Sequence, residues 1–316
     1  MVRDLVRVLV ALCATCLALP AAGAQTVAVG VSGCLASEGG CAPPAASVSF
    51  QGVRVGGTTV GLALGSDGLG ISLQAAEAFG PLGNVVFELD GELRRGPFAR
   101  ARLAARGVVA SVAARLAVAA AGDDAERFDP LAVAGDGPLL GGPRLGVEAG
   151  GTFRLDRQVI LDVAPAVHLA PAGAAVTGGA TLRLVRAWGE NELQARLAVA
   201  ALPGGGDHAA VGAALLLPRG RAPDWRVGAW LGYGETGLLP GVTLALAEGL
   251  PGGGRAALTA AYEPYRRDAR PLRGTVTLEL PLAGPTARLE VAAGALHPRA
   301  PDAVAGRLSL AWPFER

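Results

Sequence analysis

The stretch Gln158–Ala170, QVILDVAPAVHLA, alternates with a period of two. Val159, Leu161, Val163, Val167 and Leu169 fall on one side, and Ile160, Asp162, Ala164, Ala166 and His168 on the other. Successive Cβ atoms of a strand point to opposite faces, so this spacing predicts a β-strand with one apolar face and one more polar face.

The split recurs on both sides of this stretch. In Leu145–Leu155, Val147, Phe153 and Leu155 oppose Glu148, Thr152 and Arg154, and in Asn191–Leu202, Leu193, Leu197 and Val199 oppose Gln194 and Arg196. In Gly274–Leu282, Val276, Leu278 and Leu280 oppose Thr275, Thr277 and Glu279. Leu289 and Val291 oppose Arg288 and Glu290 in Thr286–Leu296, and Leu308, Leu310 and Trp312 oppose Arg307 and Ser309 in Gly306–Phe314. Upstream, Val85, Phe87, Leu89 and Leu93 oppose Glu88, Asp90 and Glu92. Each segment is about ten residues long and is bounded by turn-forming residues.

Composition narrows the classes. The 316 residues are 51% hydrophobic and 17% charged at a net charge of +1, which excludes a disordered chain. With 47 Gly and 22 Pro without a strict repeat, neither a coiled coil nor a collagen fits. The near-zero charge, without basic runs, leaves no footprint for nucleic acid. All 28 positive charges are Arg, and Ile occurs only at Ile71 and Ile160, a bias of GC-rich coding that makes Ala runs weak evidence for helix.

An apolar and a polar face on every strand suit either a soluble sandwich or a transmembrane barrel. Length separates them: soluble strands average about 5–6 residues, whereas a tilted membrane crossing takes about 9–11. The segments are of the longer kind. The expected fold is therefore all-β, a single up-and-down antiparallel transmembrane β-barrel over 25–316, with about 16–18 strands in a range of about 12–18.

Residues 1–24 form the expected signal peptide: Arg3 and Arg7 precede the apolar run Val8–Leu19, and Pro20–Ala24 offers a small-residue cleavage site. Cys13 and Cys16 would leave with it, so Cys34 and Cys41 are expected to form one disulfide in the exported chain, worth about 2–3 kcal/mol. Tight turns are expected at Gly56-Gly57, Arg106-Gly107, Asp156-Arg157, Trp188–Asn191 and Ala283–Pro285. The opposite end collects the longer connections: the cysteine loop, 122–143, 170–175, 203–207, 265–271 and 297–302. Phe153, Trp188, Trp225, Tyr233, Tyr265 and Trp312 lie near segment ends, where an aromatic girdle would stand.

The last segment, Arg307–Phe314, resembles the C-terminal assembly signal of bacterial outer-membrane β-barrels: polar, any, Gly, any, any, aromatic, any, aromatic. Arg307 matches the polar start and Trp312 and Phe314 the paired aromatics; Ser309 stands where the signal has Gly, and Glu315-Arg316 trail beyond it. Together with the signal peptide and the meander, this makes the chain similar to porin-like outer-membrane barrels. The resemblance implies an outer-membrane location, with membrane lipid and the barrel assembly machinery as partners.

Chemistry is sparse. His168, His208 and His297 fall at the long-loop end without a nucleophile and acid at a spacing that suggests catalysis. The acidic residues of 122–143 (Asp123, Asp124, Glu126, Asp129 and Asp136) lack the regular spacing of an EF-type Ca2+ loop, so a solvated loop is the expectation. No catalytic residue, metal ligand or cofactor is expected. The polar face carries a set of charges: Arg144, Glu148, Arg154, Asp162, Arg183, Arg196, Arg226, Glu263, Glu279, Arg288, Glu290 and Arg307. In a barrel these either line a wet pore or cross-pair and stiffen a narrow lumen. The expected function is a passive pore or structural envelope protein; the alternative is a secreted soluble β-sheet binding protein.

Overall fold

The computed structural model describes residues 26–36, 44–55, 57–66, 68–78, 84–94, 99–109, 111–122, 143–219, 222–266, 271–294 and 303–313. The strands, in chain order, are β1 (Thr26–Ala36), β2 (Ala45–Val55), β3 (Thr58–Gly65), β4 (Gly68–Ala78), β5 (Asn84–Arg94) and β6 (Ala99–Val109). They continue with β7 (Val112–Ala121), β8 (Arg144–Arg154), β9 (Val159–Ala170), β10 (Gly173–Trp188), β11 (Asn191–Ala201) and β12 (His208–Arg219). The last six are β13 (Ala222–Gly234), β14 (Gly237–Gly249), β15 (Arg255–Tyr262), β16 (Leu272–Pro281), β17 (Thr286–Gly294) and β18 (Ala303–Pro313).

Each strand pairs antiparallel with its neighbours in sequence, and β18 pairs with β1 from Thr26↔Pro313 to Ala36↔Ala303, so the 18-stranded sheet closes on itself. Closure leaves no strand edge unpaired, which lipid requires because it cannot hydrogen-bond a free N–H or C=O. The strands run from 8 residues in β3 and β15 to 16 in β10, and all but those two shortest reach the roughly 9–11 residues that a tilted bilayer crossing takes.

The two rims differ. At the rim where β1 begins and β18 ends, the connections are 56–57, 79–83, 110–111, 155–158, 189–190, 220–221, 250–254 and 282–285, and none exceeds five residues. The opposite rim carries 37–44, 122–143, 202–207, 263–271 and 295–302 as well as short reversals such as 66–67 and 235–236.

Two expected boundaries are corrected. Arg106-Gly107 lies inside β6, where Arg106 pairs with Arg115; the strand runs on to Val109 and the chain reverses at 110–111, with Ser111 at φ 69°. The Ala-rich flanks on both sides blur the alternation that would mark the turn. Nor is 170–175 a long connection: β9 and β10 reverse over Pro171-Ala172 into Gly173 at φ 133°, a conformation that favours glycine. The signal segment 1–24, Cys41, the acidic residues of 122–143, His297 and Phe314 lie outside the described residues.

Candidate functional site

The distribution of side chains is the inverse of a water-soluble core. Large apolar residues on alternating positions of the strands are exposed, among them Leu103, Leu145, Leu169, Leu197, Val211, Val276, Leu289 and Leu308, whereas the largest fully buried side chain among the described residues is Val48. The registers align these positions into a belt: Leu89↔Leu103↔Val118↔Val147↔Val167↔Val176 on β5 to β10, and Leu278↔Leu289↔Leu308 on β16 to β18. Hydrocarbon is the solvent such a belt suits. Trp188, Trp225 and Tyr233 are exposed near strand ends. Tyr265 departs from the expected girdle: it is 3% exposed and packs inward.

The opposite positions carry the charges, and contacts that skip a strand identify them as the concave side. Arg102 on β6 donates to Glu148 on β8 at 3.3 Å, and Arg226 on β13 donates to Gln194 on β11. Strands two apart are separated by about 10 Å, and side chains lean together across that gap on the inside of a closed wall.

Three paired groups occupy this inner face. Across β8 to β13, Arg183 is bidentate to Glu192, at 2.7 and 2.9 Å, and lies 3.6 Å from Asp162, which accepts a hydrogen bond from Thr152 at 2.7 Å. Gln194 continues the chain, donating to Glu192 at 2.6 Å and accepting from Arg226. Across β5 to β8, Arg106 meets Glu88 at 3.0 Å, and Glu148 takes both Arg102 and, at 3.7 Å, Arg115. Across β16 to β18, Arg288 bridges Glu279 at 3.5 Å and Glu290 at 2.7 Å, and Arg307 lies 3.7 Å from Glu290. Arg144 opens β8 on the same face, two positions before Gly146, over which the His168 ring lies; a Cβ there would stand 2.5 Å from Nδ1. Arg154 turns toward the rim, donating to the Arg157 carbonyl at 3.2 Å.

A fourth group comes from the connection after β15. Glu263 accepts hydrogen bonds from Tyr265 Oη at 3.1 Å, Arg266 at 3.4 Å and Arg273, and all four residues are buried. The Tyr265 ring lies against a part of the β13–β14 wall that has no side chains: a Cβ at Gly232 would overlap its Cγ, and one at Gly241 would be 3.0 Å from its Cε1. Burial, reinforced by the Glu263 carboxylate, pushes the Tyr265 phenol well above its ordinary range. Beside it, Arg196 sits 5.1 Å from the Trp230 ring centroid, and Trp230 Nε1 donates to Thr243 at 3.4 Å. Sequence reasoning places Glu263 and Arg196 on the inner face, assigns Tyr265 to a girdle instead, and does not single out Arg273 or Trp230. The legible signal is the run of inward Gly228, Gly232 and Gly234, which leaves room for a foreign ring.

On the other side of the lumen the wall is lined by small residues. Gly30, Ser47, Ser49, Gly61, Ala63 and Ser72 on β1 to β4 face a cavity of about 800 Å3, which Asp90, Glu92, Arg100, Arg288 and Arg307 also reach. Cys34 lies on β1 near the long-loop rim. Among the described residues no group of three or more His, Cys, Asp or Glu could hold a metal ion, and no helix is long and apolar enough to cross a membrane.

Neither protein-family models nor curated proteins match the chain. Solved structures do. The crystal structure of Pseudomonas aeruginosa OccK3 (OpdO) superposes with a TM-score of 0.55 at 14% identity, covering 92% of this chain and 94% of that one. Pseudomonas aeruginosa OccK10 (OpdN) gives 0.51 at 11% identity over 92% and 99%, and a mutant of the Rh. blastica porin gives 0.50 at 11% over 92% and 99%. At these identities the likeness is one of fold: a closed, antiparallel, porin-like β-barrel.

Proposed function

We propose that this barrel is a passive pore of the bacterial outer membrane, admitting small hydrophilic solutes and catalysing no reaction. The observation that carries the reading is the inversion of the two faces. Long apolar side chains look outward from the strands, while the enclosed side holds ion pairs and a wall of Ser, Gly and Ala. A soluble binding protein of this size would bury those Leu and Val residues in a core.

On this reading residues 1–24 direct export and are removed, the barrel assembly machinery engages the segment ending in Trp312 and Phe314, and the long-loop rim faces outward from the cell. Cys34 and Cys41 form a brace across the first connection of that rim. The enclosed charges, from Arg144 on β8 to Arg307 on β18, set the ionic preference of the passage, since charge in a confined lumen attracts ions of opposite sign.

Fractionation followed by planar-bilayer recording tests the proposal. The protein is expected with outer membranes, to migrate faster on gels before heating than after, and to open steady channels once purified. Recovery in the aqueous periplasmic fraction would overturn the reading, and a membrane barrel that opens no channels would reduce it to a structural role. For orientation, a tag inserted between Ala125 and Asp136 is expected to be labelled on intact cells, and one at Ser111 is not.

A further inference from the structure

At the short-turn rim, the connection between β8 and β9 meets an irregularity in β10. The ladder of β10 with β11 shifts between Val185 and Trp188, and within this bulge Arg186 takes φ 57°, a left-handed conformation that a side-chain-bearing residue rarely adopts. The Val185 N–H donates to the Gln158 carbonyl at 2.8 Å, tying the bulge to the turn. Arg154, Arg157 and Arg186 thereby line one recess of about 780 Å3, together with Asp156, Gln158 and Val185.

This recess differs from the rest of the inner face in its charge balance. A few residues deeper, Arg183 is neutralised by Glu192 and Asp162. Among the described residues none of the three rim arginines is in an ion pair. Arg154 spends one donor on the Arg157 carbonyl at 3.2 Å, and the one carboxylate of the recess, Asp156, accepts the backbone N–H of Arg157 at 2.6 Å. Each guanidinium offers five N–H donors in a fixed fork, so most of the donors in the recess have no protein acceptor. Three cations facing one carboxylate repel one another, and an anion of charge near −2 with several oxygens would relieve that repulsion. A tetrahedral phosphate matches this better than a carboxylate, because its oxygens can accept from forks arriving in different directions.

We propose that Arg154, Arg157 and Arg186 form a phosphate-binding site at the short-turn mouth of the barrel. The site does not depend on conduction through the lumen. It would hold the phosphate of a solute in the mouth or that of a lipid headgroup at the rim.

The test is calorimetric titration of the purified full-length protein in neutral detergent with inorganic phosphate. Saturable binding is expected, about tenfold or more weaker in Arg157→Gln, as befits loss of a charge-assisted hydrogen bond. Arg186→Gly is the informative partner. Glycine adopts φ 57° freely, so this variant keeps the bulge and its heat resistance while losing the guanidinium, and binding is expected to fall as far. Arg288→Gln, on the far side of the lumen, is expected to leave binding unchanged. Equal affinity in wild type, Arg157→Gln and Arg186→Gly would overturn the site, as would loss of binding only in Arg288→Gln. In nanodiscs of phosphatidylcholine alone or with phosphatidylglycerol, competition by the anionic lipid assigns the site to a headgroup, and undiminished phosphate binding assigns it to a solute. A barrel that binds phosphate but does not conduct would retain this site and lose only the pore.

Discussion

On β10 to β14 the enclosed positions carry Arg183, Glu192, Gln194, Arg196 and Trp230, with Tyr265 laid over Gly232; on β1 to β4 they carry Gly30, Ser47, Ser49, Gly61, Ala63 and Ser72. Both halves use the same alternation and the same outward apolar belt, and both belong to one ring of fixed circumference. Strand number sets the diameter of a barrel, but the volume of the inward side chains decides where the space is left. Here one half is packed by a hydrogen-bonded network and an inward connection, and the open space lies beside the other.

The largest effects should fall on what the halves share. Leu278→Arg puts a charge into the lipid belt and is expected to cost about 2–4 kcal/mol near the bilayer midplane, while Thr277→Arg, on the enclosed side of the same strand, should fold normally and shift selectivity toward anions. Leu197→Arg should cost a similar amount. Urea titration of the protein in lipid vesicles measures both, and a tolerated Leu197→Arg would break the common belt.

Next come the networks, where the halves should part. Glu192→Leu takes the bidentate partner from Arg183, leaving it Asp162 at 3.6 Å, and is expected to cost about 2–3 kcal/mol, below the value for a fully buried pair because Arg183 is partly exposed and keeps that second carboxylate. Glu279→Leu removes a partner of the more exposed Arg288 and should cost about 0–1 kcal/mol. Equal losses would mean that the two walls are equally packed.

Conductance sharpens the contrast further. Ser49→Trp is expected to lower single-channel conductance by filling the open side. Gly232→Val, whose side chain collides with the Tyr265 ring, should cost about 1–3 kcal/mol and raise conductance if the ring leaves the lumen.

The smallest effect is spectroscopic. Tyr265 should resist ionisation at the pH near 10 where an unperturbed phenol loses its proton. The unfolded chain would ionise this phenol while the folded one retains the proton, so the group's contribution to stability is lost as pH rises above about 10. A Tyr265→Phe variant whose ultraviolet difference spectrum near pH 10 is smaller than that of the wild type would contradict the buried ring.

Much of the wall is legible in the amino-acid sequence. The alternation around Asp162 and around Thr277 assigns each residue to a face, because Cβ direction in a strand is a local property. Asp156-Arg157 and Ala283–Pro285 are legible as turns for the same reason: the chemistry of a tight reversal lies within it. The β6–β7 reversal is not, since alanine suits either face and Arg106 sits where a wet rim or an enclosed wall would equally accept it. Tyr265 is misplaced by its sequence position, which lies near a segment end and so fits a lipid girdle as well as an inward connection.

The sequence by itself determined that strands form, which side chains share a face, and that the chain runs as a meander, all consequences of a two-residue repeat. Only the tertiary structure decided that eighteen strands close between β1 and β18, that Arg226 reaches Gln194 across β12, and that Tyr265 lies on Gly232. It alone also brought Arg157 beside Arg186. These contacts depend on the curvature of the closed wall and on how a turn meets a bulge, and neither is written in the alternation of any one strand.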